Sequence, residues 1–211
     1  GDHRDLHSFP TPTLFRSTEL LSQVVGYRIH RGALACGRRP ACGDASWLLQ
    51  RAAQPGPLRL LVLDAVHDAS NVGGIIRSAR GLGLNAVVLG PGCCDPWYRR
   101  AIRVSVGHVF HQPLLLSEDL PTLLTLLQRA GIPAYAGLLG TDSQPIAQLR
   151  TSPRWAVVVG NEDRAVSTPV AACCQAVHIP MASGVDSLNA GVSAALLAHA
   201  CLLQETEHAD S

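Results

Sequence analysis

Apolar and polar positions along the chain fall into blocks whose period changes from one to the next. LRLLVLD (58–64) has the apolar content and length of a buried strand, and RWAVVVG (154–160) reads as a second, continuous apolar strand. Between them, NVGGIIRSARGLG (71–83) sets Val72, Ile75, Ile76, Ala79 and Leu82 on one helical face, with Asn71 as the expected N-cap. The pattern also predicts strands at 85–89 and 132–136, a short helix within 95–106 and an amphipathic helix over 118–130. Beyond 160 come a short helix near 168–174, a short strand at 176–179 and a last helix over about 187–204. Strands alternating with helices predict an α/β fold, a mainly parallel sheet with helices on both faces.

Residues 1–57 do not join this alternation. They hold a helix-like stretch (17–25), a strand-like HRGALAC (30–36), a connection through Pro40 and Gly43, a short helix at 45–53 and a linker at 54–57. That is too little for a self-sufficient domain. The expected division is therefore an N-terminal segment of residues 1–57 and a main domain of residues 58–211.

Composition narrows the function classes. With 47% hydrophobic and 16% charged residues in 211, the chain is a core-rich globule, and extensive disorder is excluded. Aromatics at 4% argue against a base-stacking face built on many rings. Seven cysteines, no CxxC and no recognisable signal peptide predict free thiols, no metal site and a reducing, cytoplasmic setting. The longest apolar run, 194–203, is broken by His199 and falls short of a membrane span, so no membrane association is expected. Net charge is +1, but residues 1–110 carry 13 Arg against 7 acids, whereas 111–211 carry 4 Arg against 9. The N-terminal half is the expected face for an anionic partner. No lysine is present, which removes that residue from catalysis.

In open α/β sheets ligands bind beyond the carboxyl ends of strands, so three loops carry the candidate chemistry. HDASNVGGIIRSA (67–79) offers a helix N-terminus, Gly73, Gly74 and Arg77 to a phosphate, or is simply a capped helix. It matches neither a dinucleotide fingerprint nor a P-loop, which argues against a nucleotide-dependent oxidoreductase. VVVGNEDRAVS (157–167) ends a buried strand in Gly-Asn-Glu, where the carboxylate either binds a ligand hydroxyl or caps a helix. HIPMASGVDSLNAGVSAA (178–195) turns at Pro180 and opens the last helix, with Asp186 or Ser187 as the plain cap. Ser187 lacks a G-x-S-x-G elbow, so a serine hydrolase is not indicated.

In order, these loops read N-x-G-x-x-x-R-x-A (Asn71, Gly73, Arg77, Ala79), G-x-E (Gly160, Asn161, Glu162) and I-P-M followed by S-L-N (Ile179, Pro180, Met181, Ser187, Leu188, Asn189). Together they resemble the SpoU (TrmH-like) branch of the SPOUT superfamily, RNA ribose 2′-O-methyltransferases that use S-adenosylmethionine. The resemblance runs from about 58 to 204 and takes in AIRVSVGHVF (101–110). LSQVVGYRIHRGALACGRRP (21–40) resembles the closing part of the ribosomal-protein-like substrate-binding domain that precedes the catalytic domain in many members. The resemblance implies a C-terminal trefoil knot, a homodimer with the site near the subunit interface, and tRNA or rRNA as partner. It implies cofactor contacts at Gly160, Ile179, Met181 and Leu188, and a polar active-site set of Asn71, Arg77, Glu162, Ser187 and Asn189. Arg77 is expected off the apolar helix face, towards the strand-end crevice. A non-catalytic RNA-binding relative would keep the fold with damaged motifs; here the matched polar positions are intact. The chain departs from the family at Ala69, where a proline is usual, and at Ala165, where a glycine is usual and positive φ is expected.

Overall fold

The computed structural model describes residues 22–23, 26, 37–140, 143–161, 164–185 and 187–205. The chain divides into two compact units, Gly1–Ala41 and Cys42–Ser211. In the first, a helical turn at Ser22 and Gln23 is followed by Gly26, whose N–H donates to the Ser22 carbonyl at 3.0 Å. The remainder of the expected helix at 17–25, and HRGALAC, lie outside the described residues.

The second unit is a seven-stranded parallel sheet: β1 (Leu58–Leu63), β2 (Ala86–Leu89), β3 (Leu114–Leu116), β4 (Ala134–Gly137), β5 (Gln144–Pro145), β6 (Arg154–Val159) and β7 (Gln175–His178). Their spatial order is β3-β2-β1-β6-β4-β7-β5. β1 and β6 pair along their whole length, Leu58 with Arg154 through Leu63 with Val159. Successive side chains of β1 divide between two cores, as a strand buried on both faces requires. Leu61 and Leu63 join Val72, Ile75 and Ile76 of α2 (Ala69–Gly81) and Ala194, Leu197 and Cys201 of α6 (Ala190–Leu203). Leu58, Leu60 and Val62 join Leu48 of α1 (Ala45–Ala52), Leu123, Leu124 and Leu127 of α4 (Leu120–Arg129) and Val170 of α5 (Thr168–Ala171). The short α3 (Arg99–Val104) packs on α2.

Packing sets the start of this unit at Cys42 and not at the first strand. Leu48 is fully buried, Gly43 adds a parallel bridge to Leu115 at the sheet edge, and the Arg154 guanidinium donates to the carbonyls of Ala52, Gln54 and Gly56.

Helix entries differ from those expected. Asp68, not Asn71, caps α2: its carboxylate accepts from Ser70 N at 2.8 Å and Asn71 N at 3.0 Å. These bonds, that from Asn71 foremost, hold its carboxyl below the ordinary value. Ala69 thus occupies the first helical position, where proline is equally at home, so the departure from the family pattern costs nothing visible. The last helix begins at Ala190, capped by Asn189, whose Oδ1 accepts from Gly191 N at 2.9 Å; Ser187 is not the cap, and Asp186 lies outside the described residues. Gly73 is not a phosphate cradle, because a Cβ there would stand 2.6 Å from the Ala101 carbonyl of α3; its role is close helix packing.

At its far end α6 is tied to the start of the central strands. Arg59 donates from Nε and Nη2 to the two Glu205 oxygens at 2.7 and 2.6 Å, and the buried Trp155 Nε1 donates to Glu205 at 2.9 Å. Glu205→Ala is expected to lower unfolding free energy by about 2 to 4 kcal/mol, since it strands a guanidinium and an indole N–H. Denaturant titration checks this, and a loss below about 0.5 kcal/mol would mean that the pair is an ordinary surface contact.

Candidate active site

β6, β4 and β7 are neighbours in the sheet, and the chain leaving their carboxyl ends walls a cavity of about 300 Å³. Gly137, Leu138 and Leu139 follow from β4; Gly160, Asn161 and Ala165 from β6; Ile179 and Met181 from β7. Ser187, Leu188, Ala190, Ser193 and Leu197, at the entry and first turns of α6, complete the wall. The lining is aliphatic with a few polar groups, which suits an organic ligand having both a flat apolar part and hydrogen-bonding edges.

Gly160 is where backbone comes closest. A Cβ at that position would lie 2.0 Å from the Ala165 carbonyl oxygen and 2.4 Å from Val166 N, so the loop folds back directly over the glycine. The loop is fastened at both ends. Asn161 is buried and its Nδ2 donates to the Ala65 carbonyl at 3.1 Å, while the buried Asp64 accepts from Ser167 N at 2.7 Å. Ala165 takes φ 56°, the left-handed conformation that favours the family's usual glycine. Ala165→Gly is therefore expected to stabilise the fold by about 0.5 to 1 kcal/mol, the strain relieved less the extra chain entropy lost by glycine. A denaturation midpoint equal to or below that of the parent would show that the loop is unstrained there.

Of the sequence-derived candidates, Gly160, Ile179, Met181, Ser187 and Leu188 line the cavity. Asn189 stands between two lining residues, and its Nδ2 donates to Asn71 Oδ1 at 2.8 Å, joining the first turn of α2 to the first turn of α6. Arg77 lies off the apolar face of α2 and is exposed, but it is not a wall residue, and no hydrogen bond or ion pair holds it among the described residues. It is six residues beyond Asn71, about 9 Å along the helix axis. Glu162 lies outside the described residues. Asn161, named in the motif but not as a site residue, lines the cavity, as do His178, Ser193 and Leu197. Asn161 was readable in principle from its place inside Gly-Asn-Glu. His178 was not: its Nδ1 pairs with Ser143 Oγ at 2.9 Å, a contact between the end of β7 and the residue before β5.

Other reactive groups are quiet. Burial pushes the Cys93 thiol up to about 11 and those of Cys174 and Cys201 up to about 12, so these cysteines are protonated at neutral pH and are poor nucleophiles. Among the described residues no three His, Cys, Asp or Glu side chains converge as a metal site, and no helix is long and apolar enough to cross a membrane.

Residues 59–199 match the SpoU rRNA Methylase family. The chain is 35% identical over 197 residues to an uncharacterised tRNA/rRNA methyltransferase of Mycobacterium bovis, covering 91% of this chain and 66% of that protein. It is 32% identical over 142 residues to the 23S rRNA (guanosine(2553)-2′-O)-methyltransferase of Bacillus subtilis, covering 67% of this chain and 56% of that protein. It therefore spans about two thirds or less of the length of these relatives. Its fold is that of an AdoMet-bound rRNA methyltransferase from Sinorhizobium meliloti, with a TM-score of 0.70 at 23% identity over 87% of this chain and 69% of the other.

Proposed function

The chain belongs to the SpoU rRNA methylase family, and on that premise we propose that it binds S-adenosylmethionine in the strand-end cavity and methylates a ribose 2′-hydroxyl of rRNA or tRNA. The observation that carries this reading is the cavity itself. Its wall brings together Gly160, Ile179, Met181 and Leu188 from three separate chain segments, and the Gly160 cradle admits no side chain. When bound, the sulfonium cofactor supplies an electrophilic methyl group.

The protein's part is orientation, proton removal and stabilisation of oxyanion charge. Asn71 and Asn189, locked to each other, offer fixed amide groups beside the cavity. Arg77 stays protonated, because a guanidinium does so in nearly any setting. We assign it to gripping an RNA phosphate and donating to the ribose oxygen, with Glu162, water or phosphate as the proton's destination.

A homodimer belongs to the same proposal. α6 turns Ala190, Ser193 and Leu197 to the cavity and exposes a stripe of Val192, Leu196, His199 and Leu203 on another face. A partner covering that stripe would sit beside the cavity. The trefoil knot and the RNA-binding assignment of residues 1–57, with Arg28, Arg31, Arg38 and Arg39, are part of this reading, as is a cytoplasmic location. Titration calorimetry with S-adenosylmethionine and its demethylated product tests the cofactor: heat is expected with both, and none with either on folded protein would overturn the reading. Light scattering tests the dimer, which a 22.3 kDa mass at micromolar concentration would contradict.

A further inference from the structure

Away from the cavity, three of the nine aromatic residues flank the short helix α3, although their low number argued against a stacking face. Trp97 is half-buried against the core, and its ring centroid lies 5.6 Å from that of Phe110 at an interplanar angle of 37°. Phe110, in the 3-10 turn His108–Phe110 that follows α3, is thus propped from one side and remains 52% exposed. Tyr98 holds the N-cap position of α3 without making a capping bond and is 58% exposed. In the turn that joins α3 to this 3-10 turn, Val106, a β-branched residue, sits at φ 54° and is 62% exposed. That conformation is costly for valine, and the fold gains no burial from it.

The surroundings are basic. From Val66 to Gln112 five arginines stand against two aspartates. Both aspartates are engaged with backbone: Asp68 caps α2, and Asp95 accepts from Trp97 N at 2.9 Å. Arg100 and Arg103 project from α3 into solvent. The 3-10 turn packs on α2, and Arg77 follows one turn after Gly73 on the stripe that meets α3, so this edge adjoins the proposed catalytic arginine.

We propose that α3 and its 3-10 turn are a platform for unpaired RNA nucleotides flanking the target ribose, with Tyr98 and Phe110 stacking on bases and Arg100 and Arg103 meeting phosphates. This rests on the RNA substrate of the proposed function. Unpaired strands present base faces that rings can cover, whereas a duplex keeps its bases stacked inside. A second copy of this chain fits less well, because a two-fold contact would set one basic edge against another.

The test is fluorescence anisotropy with a 12-nucleotide oligouridine and a 12-base-pair RNA duplex, without cofactor. The platform predicts tighter binding of the single strand. Tyr98→Ala and Phe110→Leu, the latter keeping apolar packing on Trp97, are each expected to weaken oligouridine binding about ten-fold with an unchanged salt slope. Tyr98→Phe should retain the parent affinity. Replacing Arg100 and Arg103 together by alanine should instead lower the salt slope by about 1.4, the value for two phosphate contacts on a single strand. Thermal melts and S-adenosylmethionine titrations on each variant report the fold and the cofactor site separately. Unchanged affinity in the ring variants, no preference of the parent for the single strand, or an altered oligomeric mass with RNA binding intact would overturn the platform. Loss of cofactor binding in the parent would overturn only the methyltransferase reading.

Discussion

Arg77→Lys is expected to slow methyl transfer by about a hundred- to a thousand-fold while leaving stability and cofactor affinity close to those of the parent. The side chain is exposed and has no partner among the described residues, so exchanging it disturbs no packing. What the exchange removes is shape. A planar fork can hold a phosphate through two parallel bonds and still present a donor to the ribose oxygen, whereas an ammonium keeps the charge without that geometry. Loss of one donor aimed at developing oxyanion charge typically raises the barrier by about 3 to 4 kcal/mol. A surface arginine without such a role would change nothing in catalysis. Single-turnover rates at saturating cofactor decide, and a lysine variant within a few-fold of the parent would place the chemistry elsewhere.

The second large effect is expected at Gly160. With a methyl group placed 2.0 Å from the Ala165 carbonyl oxygen, Gly160→Ala cannot be accommodated without moving backbone. That loop is held through Asn161 to Ala65 and through Asp64 to Ser167, so the movement must break one fastening or push the chain into the cavity. Cofactor affinity is expected to fall by at least about a hundred-fold, equivalent to roughly 2.7 kcal/mol. The strands beneath keep their two cores, so the variant should still melt cooperatively. Calorimetry on the folded variant checks this, and near-parent affinity would mean that the loop does not shape the cofactor site.

The central strands were legible because burial on both faces makes β1 and β6 apolar at every position but one, and α2 was legible from its apolar face. Helix starts were harder to read. Asp68 and Asn71 are both good caps three residues apart, and only the bonds to Ser70 and Asn71 show which is used. β3 and β5, three and two residues long, exist through edge pairing and leave no periodic signal. The same holds for the site. Gly160, Ile179, Met181 and Leu188 stood in recognisable motifs, but Ser193 and Leu197 reach the cavity only through the way α6 packs across the sheet. The aromatic edge was hidden for the same reason, since Trp97 and Phe110 meet across the intervening α3.

The most direct test of the central claim is transfer of a radiolabelled methyl group from S-adenosylmethionine to ribosomal and transfer RNA, followed by digestion to nucleosides. A 2′-O-methyl ribose blocks alkaline cleavage of the adjoining phosphodiester, so the position of the label can be read without knowing the target nucleotide. Label in alkali-resistant dinucleotides, yielding 2′-O-methylated nucleosides, is the predicted result. Label on a base, or no transfer to either RNA by protein shown to hold the cofactor, would contradict it.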